Sequence, residues 1–306
     1  MTPTDEEVTP QRRALRRPPS EPALERPHAT LGEQREPHTR LLKCALEIDA
    51  CRAYWGRRVD DDAPSTERAF EEYWFGSRSL ARVQVLLSNL KLRFDAYPDA
   101  LRALHLWSTR RMSPETRRTI CHWHLQLADP LYRRFTGELL PTRLASSRPE
   151  ITRDVTVRFV ADSDVDGRWT LASHVQFASK LLSAAHSAGL LERTRDPRPI
   201  VVPRVPDEAL EYFVQLLREL DFDGTLTRNP YFASVGLDGP LLEERLRALP
   251  NVRFDRQGDL VDLAFRYPSL RAWADARFPA AGASPTPSSS SPSASASSAS
   301  PLHATE

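Results

Sequence analysis

The chain contains no long apolar run. None of its 306 residues lies in a stretch near the ~18–20 consecutive apolar residues that a membrane-spanning helix needs, so a transmembrane protein is excluded. No secretory leader is expected either, because Met1–Arg40 lacks an apolar segment and is broken by proline at 3, 10, 18, 19, 22, 27 and 37. Cysteine is scarce: Cys44, Cys51 and Cys121 are an odd set with no paired metal-type spacing. That excludes a disulfide scaffold or a zinc finger and fits a reducing cytoplasm. Catalytic signatures are also missing. There is no Gly-x-Ser-x-Gly, Walker A, dinucleotide fingerprint or His-Glu-x-x-His. Pro206-Asp207 opens a helix rather than ending a strand, and no Glu-x-Lys follows, so a nuclease core has no support. No enzyme, cofactor or metal centre is expected.

A large charge of one sign is absent too. The formal charge is +1 from 42 basic and 41 acidic residues, so the chain cannot coat nucleic acid indiscriminately. Lysine occurs only at 43, 91 and 180, which leaves nearly all of the basic charge to arginine. Arginine grips phosphate bidentately. A GC-rich genome favours the same codons, so only local clustering can carry a phosphate-binding surface.

What is present reads as a mainly α protein. Residues 1–40 carry seven basic and seven acidic side chains, frequent proline and few large apolar groups. Such a segment cannot bury enough surface to offset its ordering entropy. Residues 279–306 end in Ser/Ala/Pro low complexity. Both ends are expected to be disordered tails. Between them, 41–128 reads as a helical domain. Apolar residues recur at helical spacing from Arg40 to Trp55, and Asp60-Asp61-Asp62-Ala63-Pro64 breaks the pattern. Ser65/Thr66 restart it. In 78–94, Leu80, Val83, Leu86, Leu87, Leu90 and Phe94 fall within one ~120° arc. Pro98, Ser113-Pro114 and Asp129-Pro130 open further helices, with proline at the first helical position.

From 129 to 205 the grammar changes. Helices 130–144, 152–161 and 171–188 precede two short apolar runs, Leu190-Leu191 and Ile200-Val201-Val202, around a polar, proline-containing turn. Gly189 stands where a helix C-terminus places glycine. Three helices followed by a hairpin is the order of a winged helix. A similar order recurs over 206–278: helix 207–220, a short helix at Asn229-Pro230, helix 240–249, an alternating segment 252–263 with a Gly-containing turn, and a last helix 269–277. The fold expected is a helical bundle with winged-helix-like units, two short β-hairpin wings and disordered tails.

Three groups of residues are candidates for contact with nucleic acid. Arg78, Arg82, Asn89 and Arg93 lie within ~60° on the helical wheel of 78–94, either a phosphate-tracking stripe or a solvated face with ion pairs. Helix 171–188 turns Leu171, Val175, Phe177, Ala178, Leu181 and Leu182 inward. That leaves Ser173, Gln176, Lys180, Ser183 and Ser187 on the opposite face, where Ser and Gln suit base edges and Lys suits phosphate. The same surface would also serve a winged helix that docks a protein. The first wing concentrates Arg193, Arg195 and Arg198. In the second, Arg253 and Arg256 are offset by Asp255, Asp259 and Asp262. His174 falls inside the apolar arc and reads as a core or capping residue.

Two motifs touch on metals. Asp162-Ser-Asp-Val-Asp-Gly167 matches the opening of an EF-hand loop, yet position 12 is Ser173 rather than the bidentate glutamate, so a solvated acidic loop is expected. In Cys121-His122-Trp123-His124 the two histidines stand ~200° apart on a helix and cannot share one ion.

The segment Phe75-Gly-Ser-Arg-Ser-Leu-Ala-Arg-Val-Gln-Val-Leu-Leu-Ser-Asn-Leu-Lys-Leu-Arg-Phe94, then Asp129-Pro-Leu-Tyr-Arg-Arg-Phe135, then the join from Lys180-Leu-Leu to Gly189-Leu-Leu191, resemble the BrxA family of BREX (bacteriophage exclusion) phage-defence systems. The likeness spans about residues 65–275. It implies a compact, mostly helical protein with a likeness to the NusB antitermination factor. Such a protein would bind double-stranded DNA and act beside the other BREX components. On this reading Arg78, Arg82, Arg93, Lys180, Arg193, Arg195 and Arg198 contact phosphates, with Ser173 and Gln176 near base edges. A protein-docking adaptor and a transcriptional regulator are the alternatives.

Overall fold

Small polar side chains and prolines divide this chain into its elements. A computed structural model describes residues 31–58, 64–258 and 260–279. Ser65, Ser79, Ser113, Asp129, Thr152, Thr170, Asn229 and Ser269 each accept a hydrogen bond from a backbone N–H of the helix that follows. Each such cap contributes about 1 kcal/mol.

The first part of the chain forms α1 (Arg40–Lys43), α2 (Ile48–Arg57), α3 (Thr66–Glu71), α4 (Leu80–Phe94), α5 (Pro98–Ser108) and α6 (Pro114–Ala128). Helix α6 is buried from Thr119 to Leu127 on every side, which makes it the axis of the bundle. Trp123 stacks on Phe213 with ring centroids 4.5 Å apart. The polar groups of α6 find partners inside, except for His124 Nδ1. His122 bonds Tyr132 Oη at 2.9 Å and Ser234 Oγ at 2.8 Å, His124 bonds Tyr212 Oη at 2.8 Å, and Gln126 donates to Thr136 at 2.9 Å. The two imidazoles therefore meet different partners.

The middle of the chain is a winged unit. Helix α7 (Pro130–Arg134) runs through a π-helical turn, Phe135–Leu139, into α8 (Leu140–Leu144). The π turn sits where Gly137 meets Pro230. A Cβ on Gly137 would lie 2.5 Å from the Pro230 Cβ, so only glycine lets the two backbones approach. Then follow β1 (Glu150–Ile151), α9 (Arg153–Ser163), α10 (Leu171–Ser187) and β2 (Arg198–Pro199). Gly189 ends α10 with φ +79°, donating to His186 O at 2.9 Å while Leu190 donates to Ala185 O at 2.9 Å. That pair of bonds is a Schellman motif. The segment around β2 is the middle strand of the wing. It pairs antiparallel with β1 on one side, Ile151 opposite Arg198, and through Leu191 and Ile200 on the other.

The last part repeats the plan with α11 (Asp207–Leu217), α12 (Pro230–Ala233), α13 (Gly239–Ala248), the antiparallel strands β3 (Val252–Gln257) and β4 (Leu260–Phe265), and α14 (Leu270–Arg277). Val252 and Phe254 are buried, whereas Asp255–Gly258 and Leu260–Asp262 are exposed, so this hairpin projects from the body. The chain is thus mainly helical with two small antiparallel sheets, and one apolar cluster runs from Leu41 to Phe278 across all three expected segments. No helix among the described residues is long and apolar enough to cross a membrane.

The expected N-terminal tail needs a correction over residues 31–39. Glu33 is buried, pairs with Arg133 at 3.4 Å and accepts a hydrogen bond from Tyr231. Gln34 N donates to Leu127 O at 2.8 Å, and Gly32 bridges Asp221. Composition argued against order here because it counts apolar side chains, and this strap is held by a buried ion pair and backbone bonds instead. Residues 1–30 and 280–306, and the Asp60-Asp61-Asp62 break, lie outside the described residues.

Candidate nucleic-acid interface

The α4 stripe does not form. Arg93 is 3 % exposed and donates to Ala45 O at 2.9 Å and Leu46 O at 3.1 Å, so it holds the α1–α2 connection from within and cannot reach a phosphate. Arg82 is claimed by the same connection, with Lys43 O at 2.8 Å and Glu47 Oε1 at 2.7 Å. Asn89 is buried and donates to Val85 O at 2.7 Å. Arg78 is exposed but precedes the Ser79 N-cap and is not helical. The physical reason is the width of the apolar face. The polar residues beside it lie at its border, where α1 and α2 cover them.

The first wing and α10 do come together. Asp196, at the wing turn, accepts a hydrogen bond from Arg153 N, the first residue of α9, at 2.7 Å. Its other oxygen pairs with Arg198 Nε at 2.8 Å. Arg153 Nη2 then donates to Ser179 Oγ, one residue before Lys180 on α10, at 2.5 Å. The wing, the start of α9 and the outer face of α10 are therefore linked atom to atom. The only carboxylate in the turn 193–198 is thereby neutralised by a guanidinium and a helix N-terminus. Arg198 is correspondingly half-buried and bound to Asp196, and it is not a phosphate contact. Arg193 and Arg195 are exposed, Arg193 Nε donating to Pro197 O at 2.9 Å. Among the described residues, Arg153, Lys180, Arg193 and Arg195 have no carboxylate within ion-pair distance.

On α10 itself, Gln176, Lys180, Ser183 and Ser187 are exposed as the helical wheel requires. Ser173 is half-buried, and its Oγ lies 3.1 Å from the hydroxyl of the Thr170 cap, so it organises the helix start. Leu171, the first residue of α10, is 72 % exposed, against the expectation that it points inward. His174 bonds Asp164 Oδ2 at 3.1 Å. Burial alone would push the Asp164 carboxyl up. The bonds from His174 and from the amides of Trp169 and Arg168 outweigh it and hold the carboxyl below the usual range. The middle acid of the Asp-rich loop, Asp164, is thus occupied by His174 of α10 and by two loop amides, and among the described residues no three metal-ligating side chains converge.

The second wing differs. Arg256 and Arg247 share Glu243, Arg253 pairs with Asp255 at 2.8 Å, and Leu260 is 78 % exposed at the tip. Sequence reasoning missed Arg153 and the role of Asp196. The available signal was a cation at the first position of a helix, where the dipole disfavours it, which marks an arginine held there for another purpose. No family model, no curated protein and no solved structure matches the chain.

Proposed function

We propose that the chain is a non-enzymatic DNA-binding protein that engages duplex DNA through its first winged unit. Helix α10 lies in the major groove, where Gln176 meets base edges and Lys180 a phosphate. The wing lays Arg193 and Arg195 along the backbone, and Arg153 extends that line. The observation that carries this reading is the clasp between Asp196, Arg153 and Ser179. It ties Arg153 to the middle of α10, beside Lys180, and occupies the carboxylate of the wing turn. With the likeness to the BrxA family, the DNA-bound protein acts as a component of a phage-defence complex.

A gel shift with duplex DNA at stepped salt tests this. Four phosphate contacts give a slope of log K against log salt of about −3 to −4. K180E/R193E/R195E reduces the slope by about 3 and weakens binding on every sequence alike. Binding that ignores both salt and the triple reversal overturns the assignment. The projecting second wing, with its paired arginines and exposed Leu260 and Val261, favours a second role in holding a partner protein.

A further inference from the structure

A cavity of about 260 Å³ opens between α2, the end of α5 and the start of α6, on residues the DNA reading does not use. Its lining is almost entirely hydrogen-bond donors. Arg52, Arg110, Arg111 and Arg117 converge on it with Ser108 and Trp55, and the lining holds no carboxylate. None of the four arginines has an ion pair among the described residues. Arg117 donates only to Met112 O at 3.4 Å, and Arg110 to Pro279 O at 2.5 Å while its guanidinium lies 6.0 Å from the Phe278 ring. Trp55 adds an independent sign. It is fully buried, and its indole Nε1 has no acceptor among the described residues. A buried N–H left without a partner costs about 1–3 kcal/mol. Four like charges around one space also repel one another unless an anion sits among them. Arg117 occupies the first turn of α6, where the helix dipole is positive and disfavours a cation further.

We infer that this cavity is a binding site for a small polyphosphate anion, a pyrophosphate group or the phosphates of a nucleotide, held by Arg52, Arg110, Arg111 and Arg117 beside the buried Trp55. Guanidinium forks match phosphoryl oxygens bidentately, and several of them match a ligand with more than one phosphoryl group. The cavity holds on the order of nine waters at ~30 Å³ each, which is room for two linked phosphoryl groups.

The test uses the full chain and inorganic pyrophosphate. Thermal unfolding is followed in pyrophosphate and in potassium chloride of equal ionic strength, and the indole N–H resonance of Trp55, assigned with W55F, is followed by NMR. Pyrophosphate is expected to raise Tm by about 4 °C beyond the chloride control and to move the Trp55 resonance. R52Q/R111Q, which removes two exposed arginines that make no bond within the described residues, is expected to weaken pyrophosphate at least tenfold without lowering Tm in chloride. R193E/R195E is expected to leave pyrophosphate binding unchanged, so this site and the DNA face fail or stand separately. Three results would each overturn the site. They are equal Tm in pyrophosphate and chloride, a pyrophosphate effect that survives R52Q/R111Q, and binding that appears only in D60N/D61N/D62N, which would make the chain's own acidic run the counter-ion.

Discussion

The flank of α4 and the first wing carry the same residue type in similar numbers, yet they use it in opposite ways. Arg82 and Arg93 turn toward the α1–α2 connection and hold its carbonyls. Arg193 and Arg195 face solvent, because the carboxylate beside them is bound by Arg198 and by the start of α9. The charge available to a ligand is thus set by which carboxylates and carbonyls the fold brings near each guanidinium, and the number of arginines does not predict it. In a chain of net charge +1, a basic face exists only where the fold has occupied the acids elsewhere.

The largest effect that would break this contrast is on DNA affinity. K180E/R193E/R195E should lose on the order of 1000-fold at low salt, whereas R253E/R256E in the ion-paired second wing should change affinity less than about twofold. A comparable loss from both variants would mean that overall charge, and not the first wing, sets binding. Next comes Arg93→Met, which leaves the carbonyls of Ala45 and Leu46 without their donor and should cost about 3 kcal/mol in urea unfolding. The folded variant should bind DNA as tightly as the parent. A weaker complex at full folding would return Arg93 to the interface.

Acid should act on the interior before it acts on the wing. Burial pushes the imidazoles of His122 and His124 down to about 3. The unfolded chain therefore binds more protons than the folded one between about pH 6.5 and 3, so stability is full above pH 6.5 and falls as pH drops through that window. By pH 5.5 the loss is about 1.4 kcal/mol for each histidine. Replacing His122 with Gln should remove its share of the pH slope, which a urea series from pH 7 to 5 would read. The smallest effect is also the most discriminating. Asp196→Ala removes a negative charge from the wing, so simple electrostatics predicts tighter DNA binding. Loss of the clasp to Arg153 predicts binding roughly fivefold weaker. A gel shift decides the sign.

Much of the fold was legible in the sequence because its signals are local. The Ser113-Pro114 and Asp129-Pro130 starts, the Thr170 cap and Gly189 at the end of α10 fall where the spacing placed them. So does the order of three helices and a hairpin, since caps and turn residues act within a few positions. The strap over residues 31–39 was not legible, because its partners lie far along the chain. The fate of Arg82 and Arg93 was hidden for a related reason. A helical wheel marks which side is apolar but not which neighbour covers its border. Of the residues expected at the DNA face, Gln176, Lys180, Arg193 and Arg195 lie on one connected surface. Ser173 and Arg198 serve that surface from behind, while Arg93 belongs to the core, Arg82 is held by the α1–α2 connection and Arg78 is exposed ahead of α4. Of the clasp only the cation at the start of α9 was visible in the sequence, because its partner Asp196 lies 43 residues away.

The strap has a consequence for synthesis. Glu33 leaves the ribosome early, but the Asp223 amide and the Tyr231 hydroxyl that bind its carboxylate follow 190 and 198 residues later. At ~5–20 residues per second that delay is roughly 10–40 s. Until then Glu33 has only Arg133 to pair with, and the strap lacks its bonds to the later part of the chain. Its docking comes late in synthesis, and it ties residues 31–39 to a segment that follows almost two hundred positions on.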